Sequence, residues 1–123
     1  MKILHISVSD KIGGAAIAAF RLNRAMLAAG WNSKLLVLYK RSIDEDVISV
    51  TKYKTKAFYY VGRAINYLLN KYVLKPIYMY SSALWGIRVC HRQELQEADI
   101  IYVHWINNDF LSIKELKRIL CTN

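Results

Sequence analysis

At 123 residues the chain is long enough for one domain with a buried core, and its 54% hydrophobic and 22% charged content excludes a disordered polymer. A net charge of +9 asks for a negatively charged neighbour; nucleic acid, anionic lipid and a phosphorylated substrate all meet that requirement. The two cysteines, Cys90 and Cys121, are too few and too far apart for a disulfide framework, so a reduced, cytosolic setting is expected.

In chain order, Lys2-Ile3-Leu4-His5-Ile6-Ser7-Val8 is a short apolar, β-branched run of the kind that fills a buried parallel strand. Met1 leads straight into it, without the charged and apolar regions of a secretory signal. Ser9 to Gly14 breaks the run, and Ala15 to Ala29 reads as a helix stopped by Gly30. Ala15, Ala19, Leu22, Met26 and Ala29 form its expected buried stripe, with Arg21 and Arg24 facing water. Lys34 to Tyr39 is a second apolar strand, which completes a βαβ unit with a right-handed crossover. Lys40 to Asp46 is a charged loop, and Val47 to Val50 reads as a short third strand at the sheet edge.

Tyr53 to Leu74 is a long helical segment ended by Pro76, with Tyr60, Ala64, Tyr67, Leu68 and Tyr72 sharing a face and Lys56, Arg63, Asn70 and Lys71 lying largely elsewhere. Its most apolar part, Ala57 to Leu74, carries Arg63, Asn66, Asn70 and Lys71 and so fails as a membrane span. Ile77 to Gly86 is aromatic, Ile87-Arg88-Val89 reads as extended, and Glu94 to Ala98 is a helical turn. Ile100 to Trp105 is another buried-strand pattern with a polar exit loop, Ile106 to Phe110. Ser112 with Glu115 makes a capping box for a helix over Ile113 to Leu120. These elements predict an α/β, Rossmann-like three-layer domain with a mostly parallel sheet. No strand follows the last helix, so the sequence reads as cut short.

Gly13 and Gly14 lie between a strand's carboxyl end and a helix's amino end. There the backbone can approach a ligand, and free N–H groups with the helix dipole favour an anion; a tight turn required by geometry alone is the other reading. The string fits neither G-x-G-x-x-G nor a P-loop, which argues against a dinucleotide fold and a P-loop nucleotidase. His5 reads as a core histidine. His104, at a strand end, reads equally as core or as a group that bonds a sugar hydroxyl or phosphate, or acts as a base. Trp105 stacks on a sugar ring or fills the core. Cys90-His91 lacks a local third ligand, so no zinc site is expected.

The charge is uneven. No Asp or Glu lies between Val47 and Gln93, whereas Lys52, Lys54, Lys56, Arg63, Lys71, Lys75, Arg88 and Arg92 do. The basic, tyrosine-rich segment 52–80 is either a helix with a solvated basic face and tyrosines packed on the sheet, or a face for membrane surface or a lipid-linked acceptor; self-association into a homo-oligomer is a third use of the same tyrosines.

Three strings carry a family resemblance: Met1-Lys2-Ile3-Leu4-His5-Ile6-Ser7, Gly13-Gly14-Ala15-Ala16, and Ala98-Asp99-Ile100-Ile101-Tyr102-Val103-His104-Trp105-Ile106-Asn107. Together they closely resemble the amino-terminal domain of bacterial family 4 glycosyltransferases, and Phe110 to Leu116 continues the match; the middle, from about Lys40 to Tyr80, matches poorly. The resemblance implies one half of a GT-B enzyme, retaining and metal-independent, with no cofactor. Such enzymes transfer a sugar from a nucleotide-sugar donor to a glycan or lipid-linked acceptor in cell-surface polysaccharide synthesis. The expected location is cytoplasmic, and the basic composition of segment 52–80 offers peripheral contact at the inner membrane. Carried over, Gly13, Gly14 and Ala15 lie on the donor-phosphate side, and His104, Trp105 and Asn107 line the cleft; no catalytic residue is assigned. The family's next strand, which usually ends in a His-Asp pair, and the donor-binding domain with its paired glutamates are absent, so residues 1–123 are expected to be inactive alone. The rival reading is a non-catalytic basic α/β module for membrane surface or nucleic acid, and no nucleic-acid-binding signature is present.

Overall fold

The computed structural model describes residues 1–50, 53–74 and 83–122. The apolar runs become four parallel strands: β1 (Lys2–Ser9), β2 (Asn32–Tyr39), β3 (Val47–Ser49) and β4 (Ile100–Val103), in the order β3-β2-β1-β4. β1 is central. It pairs with β2 from Lys2↔Asn32 to Ser9↔Tyr39, and with β4 from Ile3↔Ile100 to Ile6↔Val103. Pairing continues beyond β4, since His104 N–H donates to the Ile6 carbonyl and Val8 N–H donates to the Trp105 carbonyl, both at 2.9 Å.

Helices cover both faces of this sheet, giving a Rossmann-like three-layer α/β domain. α1 (Gly14–Ala28) lies on one side, where Ala19 packs with Leu35, Val37 and Val47. On the other side, Leu4, Ile6, Val8, Leu36 and Leu38 meet Tyr59 of α2 (Tyr53–Leu69), Leu95 of α3 (Gln93–Gln96) and Ile119 of α4 (Ile113–Thr122). α2 runs on into a π-helical turn, Asn70–Leu74. The aromatic stretch through Tyr78 and Tyr80 and the break at Pro76 lie outside the described residues.

Two helices use faces other than the expected ones. In α1 the buried residues are Ala16, Ala19 and Asn23, while Ala15, Leu22 and Ala29 are exposed. Asn23 tolerates burial because its amide donates to the Asp46 carboxylate and its oxygen accepts from Ser33 Oγ at 2.7 Å. In α2 the inward face is Tyr59, Gly62 and Asn66. Tyr59 donates to the Asn108 carbonyl (2.8 Å), Asn66 donates to the Asp109 carboxylate (3.0 Å), and Gly62 lies against the Trp85 ring. The tyrosine stripe therefore points outward rather than onto the sheet, and Lys71 lies among it, with Nζ 5.3 Å from the Tyr72 ring centre.

The capping box forms only in part. Ser112 Oγ accepts from Glu115 N–H at 3.2 Å, but the Glu115 carboxylate turns away. It accepts instead from the amides of Val89 (2.6 Å) and Cys90 (2.8 Å), and from Arg118 at 3.1 Å. Residues 87–89 form no strand; Ile87 is held by one bond from its amide to the Phe110 carbonyl, 2.8 Å. Just before them the backbone passes so close to α4 that a Cβ on Gly86 would lie 2.2 Å from the Ser112 nitrogen.

Candidate functional site

The carboxyl end of β1, the turn into α1 and the end of β2 enclose a cavity of about 390 Å³, to which Trp105 and Asn108 add a wall. In an open parallel sheet this edge is where the chain leaves room for a ligand. Gly13, with φ +89°, makes the turn in a conformation that L side chains rarely adopt. Neither Gly13 nor Gly14 has an atom within 4 Å of where a Cβ would stand, so the space beside them is open.

The turn is held from below. Ser9 Oγ accepts from the amides of Lys11 and Ile12, each at 3.3 Å. The buried Asp10 carboxylate accepts from the amides of Arg41 (3.0 Å) and Ser42 (2.7 Å), which ties the turn to the chain leaving β2. Burial pushes the Asp10 carboxyl up, but the hydrogen bonds from Ser42 and Arg41 outweigh it and hold the group below the usual range.

Above the turn, the first helical bond of α1 runs from Ile17 N–H to the Gly13 carbonyl at 3.1 Å. The amides of Gly14, Ala15 and Ala16 thus have no acceptor within the helix, and no acidic side chain occupies its first turn. Gly14, Ala15 and Ala16 all line the cavity. So does Ser7, whose wholly buried hydroxyl finds no hydrogen-bond partner in the protein. Tyr39 lines it as well and packs edge-on against Tyr59 at 6.2 Å. Three free amides, a buried hydroxyl and two aromatic rings make a site suited to an anionic or hydroxyl-rich guest.

Of the residues singled out from sequence, Gly13, Gly14, Ala15 and Trp105 come together here. Trp105 is 53% exposed and so is no core residue. His104 does not line the cavity. Its Nε2 lies 3.0 Å from Nδ1 of His5, and the two rings stack at 5.2 Å. Tyr102 also stacks with His5, at 5.2 Å. Burial, and then His104, lowers His5 to about 4, and burial lowers His104. The pair is therefore neutral, one imidazole donating to the other. Asn107 faces a separate, smaller recess of about 70 Å³ beside Ile106 and Leu111.

Sequence reasoning missed Ser7, Ser9, Tyr39 and Asn108. Ser7 and Ser9 follow His5 at every second position of β1, so they share the face opposite Leu4, Ile6 and Val8; that alternation is visible within the apolar run. Asn108 stands with Asp109 in the left-handed region, φ +61° and +58°, which small polar side chains tolerate. Among the described residues no group of three or more His, Cys, Asp or Glu side chains could hold a metal ion. No helix among them is long and apolar enough to cross a membrane. No protein-family model, curated protein or solved structure matches the chain.

Proposed function

We propose that residues 1–123 form the acceptor-side half of a glycosyltransferase, taking part in transfer of a sugar from a nucleotide sugar to a glycan or lipid-linked acceptor. The observation that carries the reading is the cavity at the mouth of the first crossover, where the free amides of Gly14, Ala15 and Ala16 and the unpartnered Ser7 hydroxyl line one space. A diphosphate suits the amides, because a helix amino end with three unbonded donors stabilises negative charge without needing a lysine. A sugar ring suits Trp105 and Tyr39, whose faces and edges offer apolar contact to its C–H groups. The three strings that resemble family 4 enzymes include the glycine turn and the segment that runs from β4 to Trp105. In this role the chain supplies positioning and charge stabilisation, while the second half of the cleft would come from a donor-binding domain.

The test is a titration of the isotope-labelled chain with millimolar nucleotide sugars, nucleosides and inorganic phosphate, followed by NMR. Nucleotide sugars should shift the amides of Gly14, Ala15 and Ala16 more strongly than nucleosides do. Ala15→Asp places a carboxylate in the first turn of α1, where the dipole favours it, so the helix keeps its stability while the guest is repelled. Absence of any nucleotide-sugar response at these amides, or a response unchanged in Ala15→Asp, would overturn the proposal.

A further inference from the structure

We propose that the outer edge of β4 pairs antiparallel with the same edge of a second copy of this chain, joining two sheets into one. The sheet has two outer strands, and they are protected differently. β3 is three residues long and follows Asp44, Glu45 and Asp46, the short charged edge with which proteins block unwanted pairing. β4 and the pairing that continues it reach Trp105, and no Lys, Arg, Asp, Glu or Pro stands anywhere from Ile100 to Asn108. Among the described residues no strand lies beyond β4, and Tyr102 and Val103 remain 40% and 41% exposed. His104 N–H donates to Ile6, so alternation along the strand turns the N–H and C=O groups of Ile101 and Val103 away from β1, toward the open side. An uncharged run of β-branched and aromatic residues with its backbone turned outward is a template for another strand.

Self-complementarity selects the occupant. A two-fold axis at Tyr102 sets Ile101 of each copy opposite Val103 of the other, where both exchange N–H and C=O groups. It brings the two Tyr102 side chains together as the central cross-strand pair. Ile113 and Leu116 of α4 share a recess with Ile106 and Asn107, just beyond β4, so the exposed Ile113 adds apolar surface beside the edge. Charge does not oppose the contact, although each chain carries +9. The exposed acids Glu97 and Asp99 stand at the amino end of β4, and the exposed Lys114 stands near its carboxyl end, in the first turn of α4. Antiparallel pairing brings the acidic end of one copy toward the basic end of the other. Pairing of β4 with β3 would be head to tail, and would press Asp44, Glu45 and Asp46 into every junction. The two cavities face opposite ways out of the joined sheet, so the contact is independent of what they bind.

Sedimentation equilibrium of the 123-residue chain from micromolar to submillimolar concentration tests this, with amide exchange followed by NMR. A monomer–dimer equilibrium is expected, and the amides of Ile101 and Val103 should exchange at least about tenfold more slowly at the high concentration than at the low. Val103→Pro removes a pairing donor that faces away from β1, and should weaken the dimer about tenfold or more. Val103→Thr keeps that donor and should stay within about threefold of the parent chain. Tyr102→Lys sets like charges face to face across the axis and should weaken the dimer about tenfold at low salt and less at high salt. Far-UV dichroism checks the fold of each variant; should Val103→Pro disturb it, the lysine variant and the amide exchange decide. Three results would overturn the proposal: a monomer at every concentration, a dimer undiminished by Tyr102→Lys, or a dimer whose Ile101 and Val103 amides exchange as fast as the monomer's. Growth beyond the dimer would also overturn it, because a two-fold contact closes on itself.

Discussion

Lowering the pH should destabilise the domain chiefly through His5, with His104, also lowered by burial, acting in the same sense. The His5 ring is fully buried and in contact with Tyr102 and His104, and it is held neutral down to about 4, whereas an unfolded histidine protonates near 6.5. Below that higher value the unfolded chain takes up a proton that the folded chain refuses, so stability is intact above it and falls as pH drops, until the folded-state value is passed. From about pH 7 to about pH 5 the linkage amounts to about 2 kcal/mol, a window in which most carboxylates are still ionised. Urea unfolding at several pH values reads the loss, and the same series on His5→Leu should be flatter by that amount. An unchanged slope in His5→Leu, or no loss in the parent chain, would refute the reasoning, because His5 would then take its proton in the fold as readily as out of it.

Two further substitutions test how the second half of the chain is fastened. Gly86→Ala drives a Cβ to 2.2 Å from the Ser112 nitrogen, where backbone rather than a flexible side chain must give; a loss of at least about 3 kcal/mol and a Tm fall of about 10 °C are expected by calorimetry. Glu115→Ala strips the amides of Val89 and Cys90 of their acceptor and should cost about 3 kcal/mol in urea unfolding, with Glu115→Gln losing clearly less. The same bonds outweigh burial and hold the Glu115 carboxyl below its ordinary 4.5, so its contribution is present at neutral pH and disappears as the pH falls through that lower value.

β1 and β2 were legible because a parallel strand covered on both faces demands a continuous apolar run; β4 shows the same run but is not buried as expected, since it lies at the sheet edge with Tyr102 and Val103 exposed. The glycine turn was legible by residue type, and Gly13 is the one of the pair that the geometry requires, since its φ of +89° is one that L side chains rarely adopt. α2 was misread at one level only. Helical spacing revealed that Tyr60, Tyr67, Leu68 and Tyr72 share a face, but spacing cannot say whether a face turns inward. Asn23 and Glu115 were illegible for a different reason. A polar side chain is buried only where partners await it, and theirs come from Ser33, Asp46, Val89 and Cys90, remote in sequence or fixed by the tertiary path. His104 was assigned to the cleft from its place at a strand end, yet β1 offered it His5 as a nearer neighbour. In the cavity, the glycines and Trp105 stood out by residue type, while Ser7 emerges only when the two faces of β1 are separated.

The Asp10 carboxylate, clasped by the amides of Arg41 and Ser42, makes the glycine turn and the loop after β2 a single piece. Folding has already met the cost of ordering the entrance before any guest arrives. For a guest bound as proposed, affinity at this mouth would be set by contact chemistry rather than by the ordering of these two bonded loops.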